Sequence, residues 1–251
     1  MKYMIGNFVA LQSVHGWFIV PRKTLFQSEH LVKNGRTHIE SELANLLNIA
    51  GVLEDGSIII DGGANAGFVS IPLAQRLRQT QSKIIAFEPQ SQLYNALCGS
   101  LALNDLHNCF VHNKALGASS GMVTLPSIDY SQEQDFGTIK VEQTGKVREH
   151  SYMRNLDVEM VTIDSLQLPR LDLLKLDIEG YESAAIMGGL ETIKQHYPYI
   201  WCEFFIVGVE TVKASLSSVP GYRFYQVDYQ NMLCIHESRA HLLQLNSALE
   251  L

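Results

Sequence analysis

The sequence has few of the residues and patterns that would assign it to a specialised class. Its four cysteines include no C-x-x-C pair, so neither a zinc site nor a disulfide framework is predicted. Basic residues number 19 against 26 acidic ones, and the formal net charge is -7. A general nucleic-acid-binding protein needs a basic excess to contact phosphates. We therefore expect no nucleic-acid partner.

Long hydrophobic runs are also missing. The apolar segment at the N-terminus is interrupted by Asn7, Gln12, Ser13 and His15 before it reaches the length of a membrane span or signal peptide. No membrane span and a cytoplasmic location are expected. Because 46% of the 251 residues are hydrophobic, the chain can bury the core of one sizeable α/β domain.

Segments typical of strands alternate with segments typical of helices through the middle of the chain. Strands are predicted over residues 57–61, 83–88, 109–112, 171–177 and 199–204, and helices over 37–50, 68–77, 91–103 and 181–195. This alternation predicts a doubly wound, mostly parallel sheet of the Rossmann-like α/β class. Residues 222–228 and 232–236 predict a terminal antiparallel hairpin.

The predicted organisation is a β-rich addition over residues 1–35 and a main domain over 36–251. Residues 113–160 carry several glycines and no helical period, which indicates a β-rich insertion, typical of a lid or a substrate-binding element. The leucines between 240 and 251 form an apolar face that could pack on its own domain or on a second copy. A homo-oligomer is therefore an open expectation.

The segment IIIDGGANAG, residues 58–67, predicts a buried strand that ends in a glycine-rich turn before a helix. Such a turn can merely satisfy backbone geometry, but its position favours ligand binding by Asp61, Gly62, Gly63, Ala64, Asn65 and Gly67. A nicotinamide pyrophosphate would be repelled by Asp61, and Asn65 replaces the middle glycine of the nicotinamide pattern. A cationic ligand such as S-adenosylmethionine would be attracted.

A second acid, Glu88, ends the next predicted strand and is followed by Pro89. It lies roughly twenty residues beyond the glycine turn, where a carboxylate can accept hydrogen bonds from ribose hydroxyls. The simpler interpretation is a solvated strand end. The order of strand, turn, helix and acid favours the ribose role.

The segment LDLLKLDIEGYE, residues 171–182, places Asp177 and Glu179 at the carboxyl end of a buried strand. Ligands bind at this end in open α/β sheets, although acids there also stabilise the start of the following helix. Lys175 lies within the strand, so we expect its stem to be buried and its ammonium group to pair with a nearby acid.

Taken together and in this order, these segments resemble the FkbM family of class I S-adenosylmethionine-dependent methyltransferases. The matching segments are IIIDGGANAGFVSIPLA, IIAFEPQSQLYNAL, NKALGASSG, VTIDSL, DLLKLDIEGYESAAIMGGL and PYIWCEF. The resemblance implies O-methylation of a sugar, a glycan or a small metabolite. It also implies that Asp61, Gly63, Asn65, Glu88 and Asp177 line the cofactor pocket, with Asn113, Lys114 and Ala115 near the adenine.

Methyl transfer to a hydroxyl needs a base that removes the proton. Asp177 and Glu179 are the first candidates by position, followed by His112, His150 and Glu203. No metal is predicted, although a divalent cation on Asp177, Glu179 and Glu203 is an alternative. Scattered tyrosines, Tyr229 among them, could stack on a sugar.

Two other functions stay open at this point. One is a nucleotide-dependent oxidoreductase on the same sheet, and the other is a non-catalytic cofactor-binding module. The sequence does not identify the methyl acceptor.

Overall fold

The computed structural model describes residues 6–23, 27–131, 152–243 and 249–251. The strands are β1 (Phe8–Ser13), β2 (Gly16–Pro21), β3 (Ile58–Gly62), β4 (Lys83–Phe87), β5 (Cys109–His112), β6 (Ala115–Leu116), β7 (Gly121–Ile128), β8 (Tyr152–Val161), β9 (Leu173–Leu176), β10 (Tyr199–Glu203), β11 (Tyr222–Gln226), β12 (Asn231–His236) and β13 (Leu249–Glu250). The helices are α1 (Gln27–Asn34), α2 (Glu40–Gly51), α3 (Ser70–Arg76), α4 (Ser91–Leu103), α5 (Glu182–Met187), α6 (Leu190–His196) and α7 (Val209–Ser215), with short 3-10 helices at Asp164–Leu166 and Glu237–Leu242.

An eight-stranded sheet forms the centre of the fold, in the order β13-β11-β12-β10-β9-β3-β4-β5. The five strands from β10 to β5 run parallel to their neighbours, and β12 is antiparallel to both β10 and β11. The predicted doubly wound, mostly parallel sheet and its terminal hairpin are therefore confirmed.

The central strand β3 is buried along its whole length. Its neighbouring isoleucines point to opposite faces, because Ile59 joins one hydrophobic cluster and Ile60 joins the other. A parallel strand covered by helices on both faces needs this nearly continuous apolar run. The carboxyl ends of β3, β4, β9 and β10 consequently meet at one edge of the sheet.

At the N-terminus, β1 and β2 form an antiparallel hairpin that lies on α4. The side chain of Asn104 accepts a hydrogen bond from the Trp17 N–H at 2.8 Å and donates one to the Trp17 carbonyl at 2.7 Å. The Ile19 N–H donates to the Ser100 hydroxyl at 2.7 Å. The hairpin was expected, whereas helix α1, which follows it, was not predicted.

Three other features differ from the prediction or extend it. The single helix expected over 181–195 is two helices, α5 and α6, because the chain breaks at Gly188 and Gly189. A side chain at Gly188 would collide with the Gly117 carbonyl. Helix α7 was not predicted. Strands β6, β8 and β7 form a separate sheet, while residues 132–151, including His150, lie outside the described residues. The domain boundaries stay a prediction.

Across the described ranges, no helix combines the length and the apolar character needed to cross a lipid bilayer.

Candidate functional site

A cavity of about 480 Å³ lies at the carboxyl edge of the sheet, within the size range of small-molecule sites. Three parts of the chain form its walls: the ends of the parallel strands, the N-terminal helices, and the β6-β8-β7 sheet. The predicted site residues that line it are Gly63, Ala64, Asn65, Glu88, Pro89, Lys114, Ala115, Asp177 and Glu179.

The backbone N–H groups of the glycine turn, residues 63–67, donate hydrogen bonds to acceptors of the protein itself. Gly63 and Ala64 both donate to the Phe87 carbonyl at 3.0 Å. The Asn65 N–H donates to Glu88 at 2.8 Å, the Ala66 N–H to the Asn65 side chain at 2.7 Å, and the Gly67 N–H to the Ala64 carbonyl at 2.8 Å. Because residues 63–67 have no N–H left over, this turn cannot cradle a phosphate as nucleotide-binding turns do.

The backbone of the turn explains why it contains both glycine and asparagine. Gly63 has a φ of 76°, and a Cβ there would overlap the Asp177 carbonyl oxygen. Asn65 has a φ of 50°, in the left-handed region that asparagine adopts more readily than most residues. The turn therefore packs directly against the end of β9, which brings Asp177 to the same cavity.

Asp61 does not face the cavity. Its side chain is fully buried and accepts a hydrogen bond from the Ser70 hydroxyl at 2.6 Å. Its other oxygen lies 3.2 Å from the Lys175 ammonium nitrogen. The expectation that this carboxylate attracts a cationic ligand must be corrected, because Asp61 is buried away from the cavity wall and Lys175 neutralises it. Gly62 and Gly67 are also absent from the cavity wall.

Lys175 is 2% exposed, and its ammonium group connects the ends of β3 and β9. Besides Asp61, it pairs with Asp177 at 3.6 Å and donates to the Gly63 carbonyl at 3.2 Å. Burial favours the neutral amine, but the carboxylates of Asp61 and Asp177 hold the pKa of Lys175 above its usual value. The predicted pairing of Lys175 with nearby acids is confirmed.

Glu88 is 4% exposed and is oriented by two backbone donors, the N–H groups of Asn65 and Gln90, each at 2.8 Å. Burial raises the pKa of Glu88 to about 7, although these hydrogen bonds favour its ionised form. Each carboxylate oxygen keeps a second lone pair. Glu88 can therefore accept hydrogen bonds from a ligand in the cavity.

Two predicted residues after β5 are held by the protein. The Asn113 amide donates to the carbonyls of Glu88 and Pro89, both at 2.9 Å, and Asn113 does not line the cavity. It fixes the loop that carries Glu88. Lys114 lines the cavity and pairs with Glu159 at 2.9 Å.

Three further acids line the cavity, namely Asp177, Glu179 and Glu203. Burial, with the charges of Asp177 and Glu182 nearby, raises the pKa of Glu203 to about 8. The Glu203 carboxylate also accepts a hydrogen bond from the Gln230 amide at 3.4 Å. Within the described ranges, no three histidine, cysteine or acidic side chains are grouped to hold a metal ion.

Glu42 and Gln27 also line the cavity, and sequence reasoning missed both. A signal for Glu42 was present, because it falls within the apolar helical face of Ile39, Leu43 and Leu46. A carboxylate in such a face needs either a partner or a cavity.

His112 is not placed to act as a base. Its ring stacks on Phe87 at a centroid distance of 5.2 Å, and it does not line the cavity. Burial lowers the pKa of His112, and the charge of Lys114 lowers it further. This candidate is therefore corrected. The cavity rim instead carries exposed Phe205, Ile206 and Tyr229, with the rings of Phe205 and Tyr229 6.5 Å apart.

Comparison with known proteins agrees with the fold. The sequence model of the methyltransferase FkbM domain matches residues 61–230. The chain is 30% identical to methyltransferase sdnD of Sordaria araneosa over 164 residues, which is 54% of this chain and 61% of that protein. It is 26% identical to methyltransferase 1 of Beauveria bassiana over 148 residues, 53% of this chain and 59% of that protein. The chain thus spans about three fifths of these curated relatives.

Solved structures show the same fold at low sequence identity. A methyltransferase FkbM from Methylobacillus flagellatus superimposes with a TM-score of 0.52 at 17% identity, covering 74% of this chain and 45% of that one. The Escherichia coli protein yhhF, titled a methyltransferase, gives a TM-score of 0.51 at 12% identity and covers 91% and 99%. The family match decides against the oxidoreductase alternative. The chain belongs to the FkbM methyltransferase family, a class I methyltransferase fold whose methyl donor is S-adenosylmethionine.

Proposed function

We propose that this protein transfers a methyl group from S-adenosylmethionine to a hydroxyl group of a sugar, a glycan or a small metabolite. The observation that carries the proposal is that the glycine turn, Glu88 and a half-buried carboxyl whose pKa is about 8, that of Glu203, line the same cavity. The turn and Glu88 suit an adenosyl ligand, and the Glu203 carboxyl suits the removal of a hydroxyl proton.

The residues of the cavity fit the methyl donor. Its adenosine part carries two ribose hydroxyls, and their O–H groups can donate hydrogen bonds to the Glu88 carboxylate. The adenine ring would be flanked by Lys114, Ala115 and Pro89. The remainder of the cofactor would be flanked by residues 63–65 and Asp177. The absence of spare N–H groups at residues 63–67 supports a ligand without phosphate. When bound, this cofactor supplies a methyl group already activated on a sulfonium.

Replacing Glu88 by glutamine tests the ribose role. The amide keeps the size of the side chain, but its NH2 group would face a backbone N–H of Asn65 or Gln90 that now donates to a carboxylate oxygen. Hydrogen bonds from the ribose hydroxyls to the charged carboxylate would be weakened. A loss of roughly 1.5–3 kcal/mol corresponds to roughly 10- to 100-fold weaker binding of the adenosyl ligand. Calorimetric titration with S-adenosylhomocysteine measures this. An unchanged affinity in Glu88→Gln would exclude the role.

Glu203 is our candidate for the base. It is preferred over Asp177, whose carboxylate is engaged by Lys175 and is 40% exposed. A base works best when its pKa lies near the working pH. Glu179 lines the same cavity and has a left-handed φ of 56°. We assign it to positioning the acceptor.

The acceptor class follows from the charge and shape of the cavity. Its carboxylates would repel the phosphates of a nucleic acid. Aromatic rings at the rim, Phe205 and Tyr229, offer the apolar faces on which sugar rings and small apolar metabolites pack. A neutral molecule with hydroxyl groups is therefore favoured over a polyanion.

The experiment is a methyl-transfer assay with two readouts. The protein is incubated with S-adenosylmethionine and a panel of glycosides, small alcohols, amines and short RNAs, and each product is analysed by mass spectrometry while S-adenosylhomocysteine is quantified. We expect methylation of a hydroxyl-bearing compound. Methylation of only amines or RNA would contradict the proposed acceptor class. Cofactor binding with no transfer to any class would favour the non-catalytic module.

A further inference from the structure

The N-terminal helices bring two hydrogen-bond acceptors into the cavity that no described residue satisfies. Gln27, at the start of α1, is 4% exposed, lines the cavity, and its carbonyl oxygen Oε1 has no hydrogen-bond partner in the described part of the chain. Glu42, in α2, lines the same cavity, half-buried. Within those same ranges, no hydrogen bond or ion pair connects its carboxylate to another residue. Both groups can accept hydrogen bonds, and the carboxylate is negative when ionised.

A hydrogen-bond acceptor that is removed from water and left without a partner destabilises the empty site. A ligand that fills this part of the cavity must therefore bring N–H or O–H donors, and a positive charge would be favoured. The charge of Lys175 acts on Glu42, but the Lys175 ammonium contacts Asp61 and Asp177. Burial and the negative charges of Asp177 and Asp228 outweigh it and raise the pKa of Glu42 to about 7. Within the described part of the chain, a cation in direct contact with Glu42 is therefore left for a ligand to supply.

The position of this wall indicates which ligand meets it. Helix α2 packs on α3, the helix that follows the glycine turn. His38, just before α2, contacts the ring of Phe68 edge-on at 5.1 Å, and both residues line the cavity. The wall thus adjoins the glycine turn, where the methyl donor lies, and is formed by other parts of the chain than the aromatic rim proposed for the acceptor.

From these contacts we infer that Glu42, assisted by the Oε1 atom of Gln27, binds the α-ammonium group of the amino-acid part of S-adenosylmethionine. The ammonium has three N–H donors and one positive charge, which match two unsatisfied acceptors of which one is a carboxylate. Asp61 cannot provide this contact, because it is buried behind the turn and neutralised by Lys175.

This inference extends the cofactor site beyond the family-matched region of residues 61–230. It does not depend on the proposed hydroxyl acceptor, since it concerns the methyl donor alone. Helices α1 and α2 then have a direct function, because they carry the residues that recognise the amino-acid part.

Binding of three adenosyl compounds to Glu42→Gln tests the assignment without turnover. S-adenosylhomocysteine has both the ammonium and the carboxylate, its decarboxylated analogue keeps only the ammonium, and 5′-methylthioadenosine has neither. By calorimetry, we expect roughly 10- to 100-fold weaker binding of the first two and no more than about twofold change for the third. Gln27→Leu should show the same ligand pattern with a smaller loss.

The control variant is Glu29→Gln, which removes an acid from α1 whose side chain is 61% exposed and pairs with Lys33. It should bind all three compounds as the unmodified protein does. Equal losses for all three compounds in Glu42→Gln would show a general structural effect and overturn the inference. Unchanged binding of S-adenosylhomocysteine, with weakened binding of the methyl acceptor, would assign Glu42 to the acceptor instead and also overturn it.

Discussion

Glu203→Gln should lower kcat by about 10²- to 10⁴-fold, the usual contribution of a positioned general base. The amide is nearly the same size as the acid but cannot accept a proton from the hydroxyl of the substrate. Affinity for S-adenosylhomocysteine should change little, because Glu203 is not among the residues proposed to bind the methyl donor. Steady-state kinetics with the methylated acceptor and calorimetry with S-adenosylhomocysteine separate the two effects.

The pH dependence has a defined sign. Below a pKa of about 8, Glu203 is protonated and cannot act as a base. We therefore expect kcat/KM to rise with pH and to level off above about 8. This rise should disappear in Glu203→Gln. It should remain in Asp177→Asn, the matched variant at the neighbouring carboxyl, with its midpoint at lower pH because the charge of Asp177 contributes to the raised pKa of Glu203. If Asp177→Asn instead removes the rise, Asp177 is the base and our choice between the two acids is wrong.

Lys175→Met should lower the free energy of unfolding by about 3–5 kcal/mol, the usual cost of leaving one partner of a buried ion pair without the other. Asp61 is fully buried, and its remaining partner is the Ser70 hydroxyl. Methionine has a similar length and fills the space of the lysine stem. The loss therefore reports on the unpaired carboxylate of Asp61 and not on a cavity. Denaturant unfolding followed by circular dichroism measures it.

A double variant distinguishes the charge from the packing. Asp61→Asn combined with Lys175→Met removes both charges, so it should be more stable than Lys175→Met alone. Lys194→Met serves as the exposed control, because Lys194 pairs with Glu191 on the surface, where such pairs contribute about 0–1 kcal/mol. If the double variant is no more stable than Lys175→Met, the buried charge of Asp61 is not the cause.

Much of the fold was predictable because it depends on local patterns. An apolar run such as Ile58–Gly62 predicts a buried strand of a parallel sheet, and a glycine turn after it predicts the start of the next helix. The single helix predicted over 181–195 was wrong because the chain breaks at the adjacent pair Gly188 and Gly189, a local signal that the prediction did not use. The close approach of Gly188 to Gly117, which requires glycine there, joins residues distant along the chain and leaves no periodic signal.

In the candidate site too, spacing along the sequence located residues but did not reveal their partners. The position of Glu88 followed from its spacing, and its orientation toward the cavity is consistent with that expectation. Asp61 was identified as important but given the wrong role, because its spacing does not reveal that Lys175 neutralises it from the next strand. The expectation that His112 acts as a base was wrong for a similar reason, since its ring stacks on Phe87.

The sequence alone determined the order of strands and helices, the family resemblance and the edge of the sheet at which ligands bind, because periodicity and motif spacing are local properties. Only the tertiary structure decided which acids face the cavity, which of them are neutralised, and that Glu42 and Gln27 join the site from the N-terminal helices. Charge pairing and burial depend on residues that the fold brings together from distant parts of the chain. For that reason the methyl donor could be inferred from motifs, whereas the set of residues that line the cavity depends on the tertiary structure.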